Sequence, residues 1–120
     1  MITIDESDPT PPFGQIRRQL ADEIRVGNLA PGHKLPSVRQ LAGDLRLAAG
    51  TVARAYSELE ADGLLESNRT GTRVKQIDAF PTQAREAARA YIASLNGLTL
   101  EDAIRAVRAE WKTTEEAATR

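Results

Sequence analysis

Apolar residues recur at helical spacing through the first third of the chain. Phe13, Ile16, Leu20 and Ile24 stand three or four apart, with arginines and acids between them, so "FGQIRRQLADEIRVGNL" reads as an amphipathic helix. Gly27-Asn28 stops it, and "APGHKLPS" is a Pro/Gly turn region. Ser37 then serves as the N-cap of "VRQLAGDLR", where Val38, Leu41, Ala42 and Leu45 form one face. Leu47-Ala48-Ala49-Gly50 turns the chain. The next helix is expected from about Thr51 to Ala61, with Val52, Ala55, Tyr56 and Leu59 inward and Asp62-Gly63 closing it.

The pattern then shortens. Leu64-Leu65-Glu66 and Thr72-Arg73-Val74-Lys75 read as two strands, with Asn68-Arg69-Thr70-Gly71 as the turn between them. Asp78-Ala79-Phe80-Pro81 is a linker. "TQAREAARAYIASLN" follows as a helix with Ala84, Ala88, Tyr91 and Leu95 on one stripe. A last helix opens on a capping-box pattern, Thr99 with Asp102, and carries Leu100, Ile104, Val107 and Trp111. The fold class is mainly α with one small β hairpin. The organisation is a lead-in at 1–11, a domain at 12–76, a linker at 77–80 and a helical arm at 81–120.

Composition narrows the function classes. The 120 residues allow one modest core and leave little room for a deep catalytic cleft. No cysteine is present, and His33 is the one histidine, so thiolate and multi-histidine metal sites are excluded. The acid pairs Asp22-Glu23, Glu101-Asp102 and Glu115-Glu116 are adjacent on helices and point apart. Neither "GTV" nor "TGT" has the lysine-serine pair of a phosphate loop. The reading is therefore not an enzyme, with no cofactor and no metal. No apolar run reaches the ~20 residues of a membrane span, and "MITIDESDPT" lacks a signal peptide's basic start, so a cytoplasmic location is expected. Net charge is −1, but residues 33–76 hold seven Lys/Arg against five Asp/Glu. The acids there gather near the end of one helix, while the cations are spread over the elements before and after it.

The motifs "APGHKLPSVRQLAGDL", "TVARAYSELEADGLL" and "RTGTRV", in that order, resemble the winged helix-turn-helix domain of the GntR family of bacterial transcription regulators. The two-helix C-terminus and the "TVARAY" wording are most similar to its YtrA subfamily. The resemblance implies a homodimer that binds a double-stranded DNA operator, usually as a repressor. In such a fold the second helix of the helix-turn-helix enters the major groove, and the hairpin is a wing that reaches the adjacent groove or phosphates.

On that basis the candidate DNA contacts are Ser37, Arg39, Thr51 and Arg54, with Arg69, Thr70 and Gly71 at the wing tip. Ser37 can cap its helix or bond a phosphate. Arg39 is on the polar side of its helix, and the matching family arginine lies at the DNA. Thr51 and Arg54 avoid the apolar stripe of their helix. Tyr56 lies on that stripe and reads as core, and His33 as a turn residue. The sequence departs from the family at Ala48, Ala49 and Gly50, where relatives commonly carry a capping Ser or Asn and polar or basic side chains. The arm's two apolar stripes cannot both be buried within 40 residues, which points to a dimer interface of Tyr91, Leu95, Ile104, Val107 and Trp111. Forty residues leave little room for an enclosed pocket, and a small-molecule effector stays an open question. The alternative reading is a winged-helix protein-interaction module, favoured by the near-neutral charge and the bare Ala48-Ala49-Gly50 edge.

Overall fold

A computed structural model describes residues 2–119. The order of elements is α1 (Pro12–Arg25), α2 (Val38–Leu45), α3 (Ala49–Ala61), β1 (Leu65–Asn68), β2 (Gly71–Val74), α4 (Thr82–Ser94) and α5 (Leu100–Ala118). They form two compact units, Met1–Phe80 and Pro81–Arg120.

In the first unit, the helical period of α1 buries Ile16, Leu20 and Ile24 against Leu41 and Ala42 of α2 and Val52, Ala55, Tyr56 and Leu59 of α3. Leu35, Leu64, Leu65 and Val74 close the core. Ser37 caps α2 as its sequence requires. Its hydroxyl accepts the Gln40 N–H at 3.1 Å, and the Gln40 side chain accepts the Ser37 N–H at 2.9 Å, satisfying two orphan donors at once. Helix α2 ends on Arg46, which adopts the left-handed conformation (φ 57°, ψ 44°) that swings the chain toward α3.

Three boundaries differ from expectation. Helix α3 starts at Ala49, not Thr51, so Ala48 is its N-cap and Ala49-Gly50 its first residues. Gly50 is not among the glycines at positive φ, and Ala49 is a strong helix former, so nothing local delays the helix. The strands are shifted from expectation, β1 running Leu65–Asn68 instead of 64–66 and β2 Gly71–Val74 instead of 72–75; they pair antiparallel from Leu65↔Val74 to Asn68↔Gly71, leaving a two-residue turn, Arg69-Thr70. The Asn68 side chain holds that turn by accepting the Thr70 N–H at 2.8 Å and its hydroxyl at 2.6 Å. Helix α4 ends at Ser94, so Leu95 is its extended C-cap and is off the helical stripe.

A third extended segment flanks the hairpin. Leu35 N–H donates to Thr72 O and Val74 N–H to His33 O, both at 2.9 Å, while Gly32 N–H donates to Val74 O at 2.8 Å. His33 therefore lies beside β2 as well as next to a turn. The lead-in is also structured. Ile2 and Ile4 pack on the core. Gln19 exchanges two amide bonds with the Thr3 backbone, at 2.9 and 2.7 Å. Gln15, only 2% exposed, bonds the backbones of Asp5 and Thr10. The linker is held too: Ile77 packs on the core and Phe80 N–H donates to Arg25 O at 2.8 Å.

The second unit is α4, a turn through Gly97, and α5, whose start is capped by Thr99 and Asp102 as the sequence predicts. Among its described residues only Ala103 is buried. The two helices together line an open cleft of about 680 Å³, with Tyr91 and Ile92 from α4 and Leu100, Ile104, Val107 and Trp111 from α5.

Candidate nucleic-acid interface

Helices α2 and α3, joined by Arg46-Leu47-Ala48, form a helix-turn-helix, and the hairpin follows α3 as a wing. Tyr56 locks the arrangement. Its ring is buried on α3 and its hydroxyl donates to Pro36 O at 2.7 Å, immediately before the α2 cap. Burial pushes the Tyr56 phenol up to about 12, because the charged form would lose hydration. Tyr56 is thus a core brace and not a stacking aromatic.

Ser37 and Arg39 are exposed in the first turn of α2. Among the described residues Arg39 has no ion-pair partner, so its guanidinium is available to a ligand. The α3 candidates are placed differently from a free outward pair. Thr51 is half-buried. Arg54 lies over Phe13 of α1, its guanidinium carbon 3.7 Å from the ring centroid. Beside it, Arg17 of α1 bonds Asp62 at 2.7 Å and approaches Glu58 at 3.7 Å. Phe13–Arg54 and Arg17–Glu58/Asp62 form one brace between α1 and α3. The exposed surface of α3 apart from this brace includes Ala49, Gly50, Ala53 and Ser57. Sequence reasoning missed Ala53 and Ser57, because small side chains that are neither core nor charged carry no periodic signal.

At the wing tip Arg69 and Thr70 are exposed and Gly71 is half-buried. Gly71 has φ 127°, a backbone conformation that side chains disfavour. Behind the tip, Arg73 reaches Gly32 O at 3.3 Å. Ser37, Arg39, the start of α3 and the wing tip thus leave exposed a cap hydroxyl, cations and backbone shielded by little side chain.

The model of the gntR family of bacterial regulatory proteins matches residues 12–74. This chain belongs to the GntR family. The HTH-type transcriptional regulator Rv1152 of Mycobacterium tuberculosis is 43% identical over 107 residues, covering 87% of this chain and 88% of the relative. The HTH-type transcriptional repressor YtrA of Bacillus subtilis is 44% identical over 69 residues, covering 58% of this chain and 53% of YtrA. Among solved structures, YtrA from Sulfolobus acidocaldarius, a GntR-family transcription factor, superposes with a TM-score of 0.60 at 34% identity, over 78% of this chain and 98% of that one. The GntR chain described here is accordingly a winged helix-turn-helix, DNA-binding transcription regulator and not an enzyme. No helix among its described residues is long and apolar enough to cross a membrane.

Proposed function

We propose that this GntR regulator binds a palindromic DNA operator as a homodimer and acts as a repressor in the bacterial cytoplasm. The observation that carries the dimer is the uncovered apolar cleft of the second unit. Trp111 is 66% exposed, Leu100 74% and Ile92 64%, an arrangement that water disfavours unless a second copy covers it. Tyr91, Ile104, Val107 and Trp111 line that cleft; Leu95, at the α4 C-cap, does not. Two copies related by a two-fold axis present two recognition helices to two half-sites, which matches a palindrome. The repressor role is supported by the name of the Bacillus YtrA relative.

In this reading residues 12–76 bind DNA, 77–80 form the linker and 81–120 the dimerisation arm. Arg39 reads a base edge from α2, and Ser37 and the wing residues Arg69, Thr70 and Gly71 engage phosphates. The first turn of α3 approaches through Ala49 and Gly50, where little side chain keeps the backbone away. Such an edge discriminates weakly, because a methyl contact offers less than a bidentate arginine. The operator is thus expected to have few strictly fixed base pairs, dominated by guanines opposite arginine.

Selection of bound sequences from a random duplex pool tests this. Enriched sites should be inverted repeats with short conserved half-sites. Recovery of no enriched sequence would favour the winged-helix interaction-module reading instead.

A further inference from the structure

Lys34 belongs to the segment before α2, yet its side chain ends at the wing tip. The segment is fixed by the sheet. Lys34 and Arg73 form an antiparallel bridge, and the flanking bonds Leu35 N–H to Thr72 O and Val74 N–H to His33 O are both 2.9 Å. From there the side chain runs across residue 71. A methyl group placed on Gly71 would stand 2.8 Å from Lys34 Cε, 3.6 Å from Nζ and 3.8 Å from Cδ. The absence of a side chain at 71 is what leaves room for the lysine stem, and the stem brings the ammonium beside the Arg69-Thr70 turn.

Among the described residues neither Lys34 nor Arg69 has an acidic partner. Lys34 and Arg69 thus bring charge to the wing from two distant parts of the chain, neither of them in an ion pair among the described residues. An exposed cation with no ion-pair partner is open to an anion that approaches it. A lysine is a compact point charge suited to a phosphate and carries no base information.

We propose that Lys34 is a phosphate-contacting residue of the wing, seated by Gly71. This rests on the reading of the chain as a duplex-binding protein. Gly71 then acts by making room for the lysine as well as by its backbone conformation.

Lys34→Met tests it, because the methionine keeps an unbranched apolar stem over Gly71 and removes only the charge. Binding to a short random-sequence duplex is measured across a salt series, beside thermal unfolding. The expected result is an unchanged unfolding midpoint and a slope of log affinity against log salt shallower by about one per wing. Affinity for a selected operator and for the random duplex should fall by the same factor. A slope identical to that of the parent protein overturns the proposal. Gly71→Ala should reduce the slope too, and adding Lys34→Met to it should reduce it no further; a second full decrement would show that Gly71 does not seat the lysine. Arg39→Ala separates this proposal from the reading beneath it, since it should lose operator preference while keeping the Lys34-dependent slope. A parent protein that binds neither duplex removes both. A parent that binds normally beside an indistinguishable Lys34→Met removes only the role of Lys34.

Discussion

Arg39 and Arg54 carry the same charge in different company. Arg39 is exposed and has no ion-pair partner among the described residues, whereas Arg54 lies on the Phe13 ring. A cation over an aromatic at an exposed site contributes roughly 0.5–1 kcal/mol. Arg54→Ala should therefore lower unfolding free energy by about that amount in denaturant titration. Arg39→Ala should leave stability within about 0.5 kcal/mol and cost about 1–3 kcal/mol of operator affinity. An Arg54→Ala protein of full stability that has lost operator binding would mean that the side chain leaves Phe13 on the duplex. Gly50 offers a second test at this scale. A Cβ there meets nothing within 4 Å and its φ is not positive, so Gly50→Ala fits the helix without strain. It should raise stability by about 0.5–1 kcal/mol, read from the same titrations, and leave sequence preference unchanged. Arg39 was singled out in the sequence because the matching arginine of the resembled family lies at the DNA, and its polar-side placement followed from the helical period; the structure leaves it exposed. The engagement of Arg54 was not legible there, because Phe13 is distant along the chain.

The two helices of the helix-turn-helix start in different ways. Helix α2 has both halves of a capping box, while α3 starts on Ala48 with no side-chain bond to its free N–H groups. Ser37→Ala should cost about 1 kcal/mol of stability, and Ala48→Ser should gain a comparable amount without altering operator choice. A destabilised Ala48→Ser would show that the extended backbone at 48 does not present the hydroxyl to the helix end. Between the helices, Tyr56 makes stability depend on alkaline pH. The unfolded phenol ionises near 10 and the folded one near 12. Below pH 10 both states hold the proton and its contribution is constant. Between those values the unfolded state releases a proton that the folded state keeps, so stability falls as pH rises. Tyr56→Phe should flatten that part of the pH profile in thermal unfolding; an unchanged slope would assign the alkaline loss to other groups. Elements with strong periodicity or caps, α1, α2 and α5, were readable from sequence. The start of α3 was not, since Ala48-Ala49-Gly50 contains no boundary signal and the preceding left-handed Arg46 sets where the helix begins.

At the scale of the molecule, the first unit has a closed core and the second leaves its apolar stripe in water. Burying a tryptophan or leucine contributes roughly 1.5–3 kcal/mol, so a few such residues on each copy can support association. Ending the chain after Ala79 should yield a monomer in sedimentation, with operator affinity much reduced. A truncated protein that still sediments as a dimer would place the interface in the first unit. The local sequence pattern by itself determined the order of helices and hairpin, the Ser37 and Thr99 caps and the apolar stripe of α5, because each depends on residues within a turn or two of one another. Tertiary structure decided what joins distant positions. It tied Ile2 and Ile4 of the lead-in onto the core through Gln15 and Gln19, turned Arg54 onto Phe13, and laid Lys34 across Gly71. Those partners meet only after the chain has folded back on itself, and no local spacing records a contact made that way.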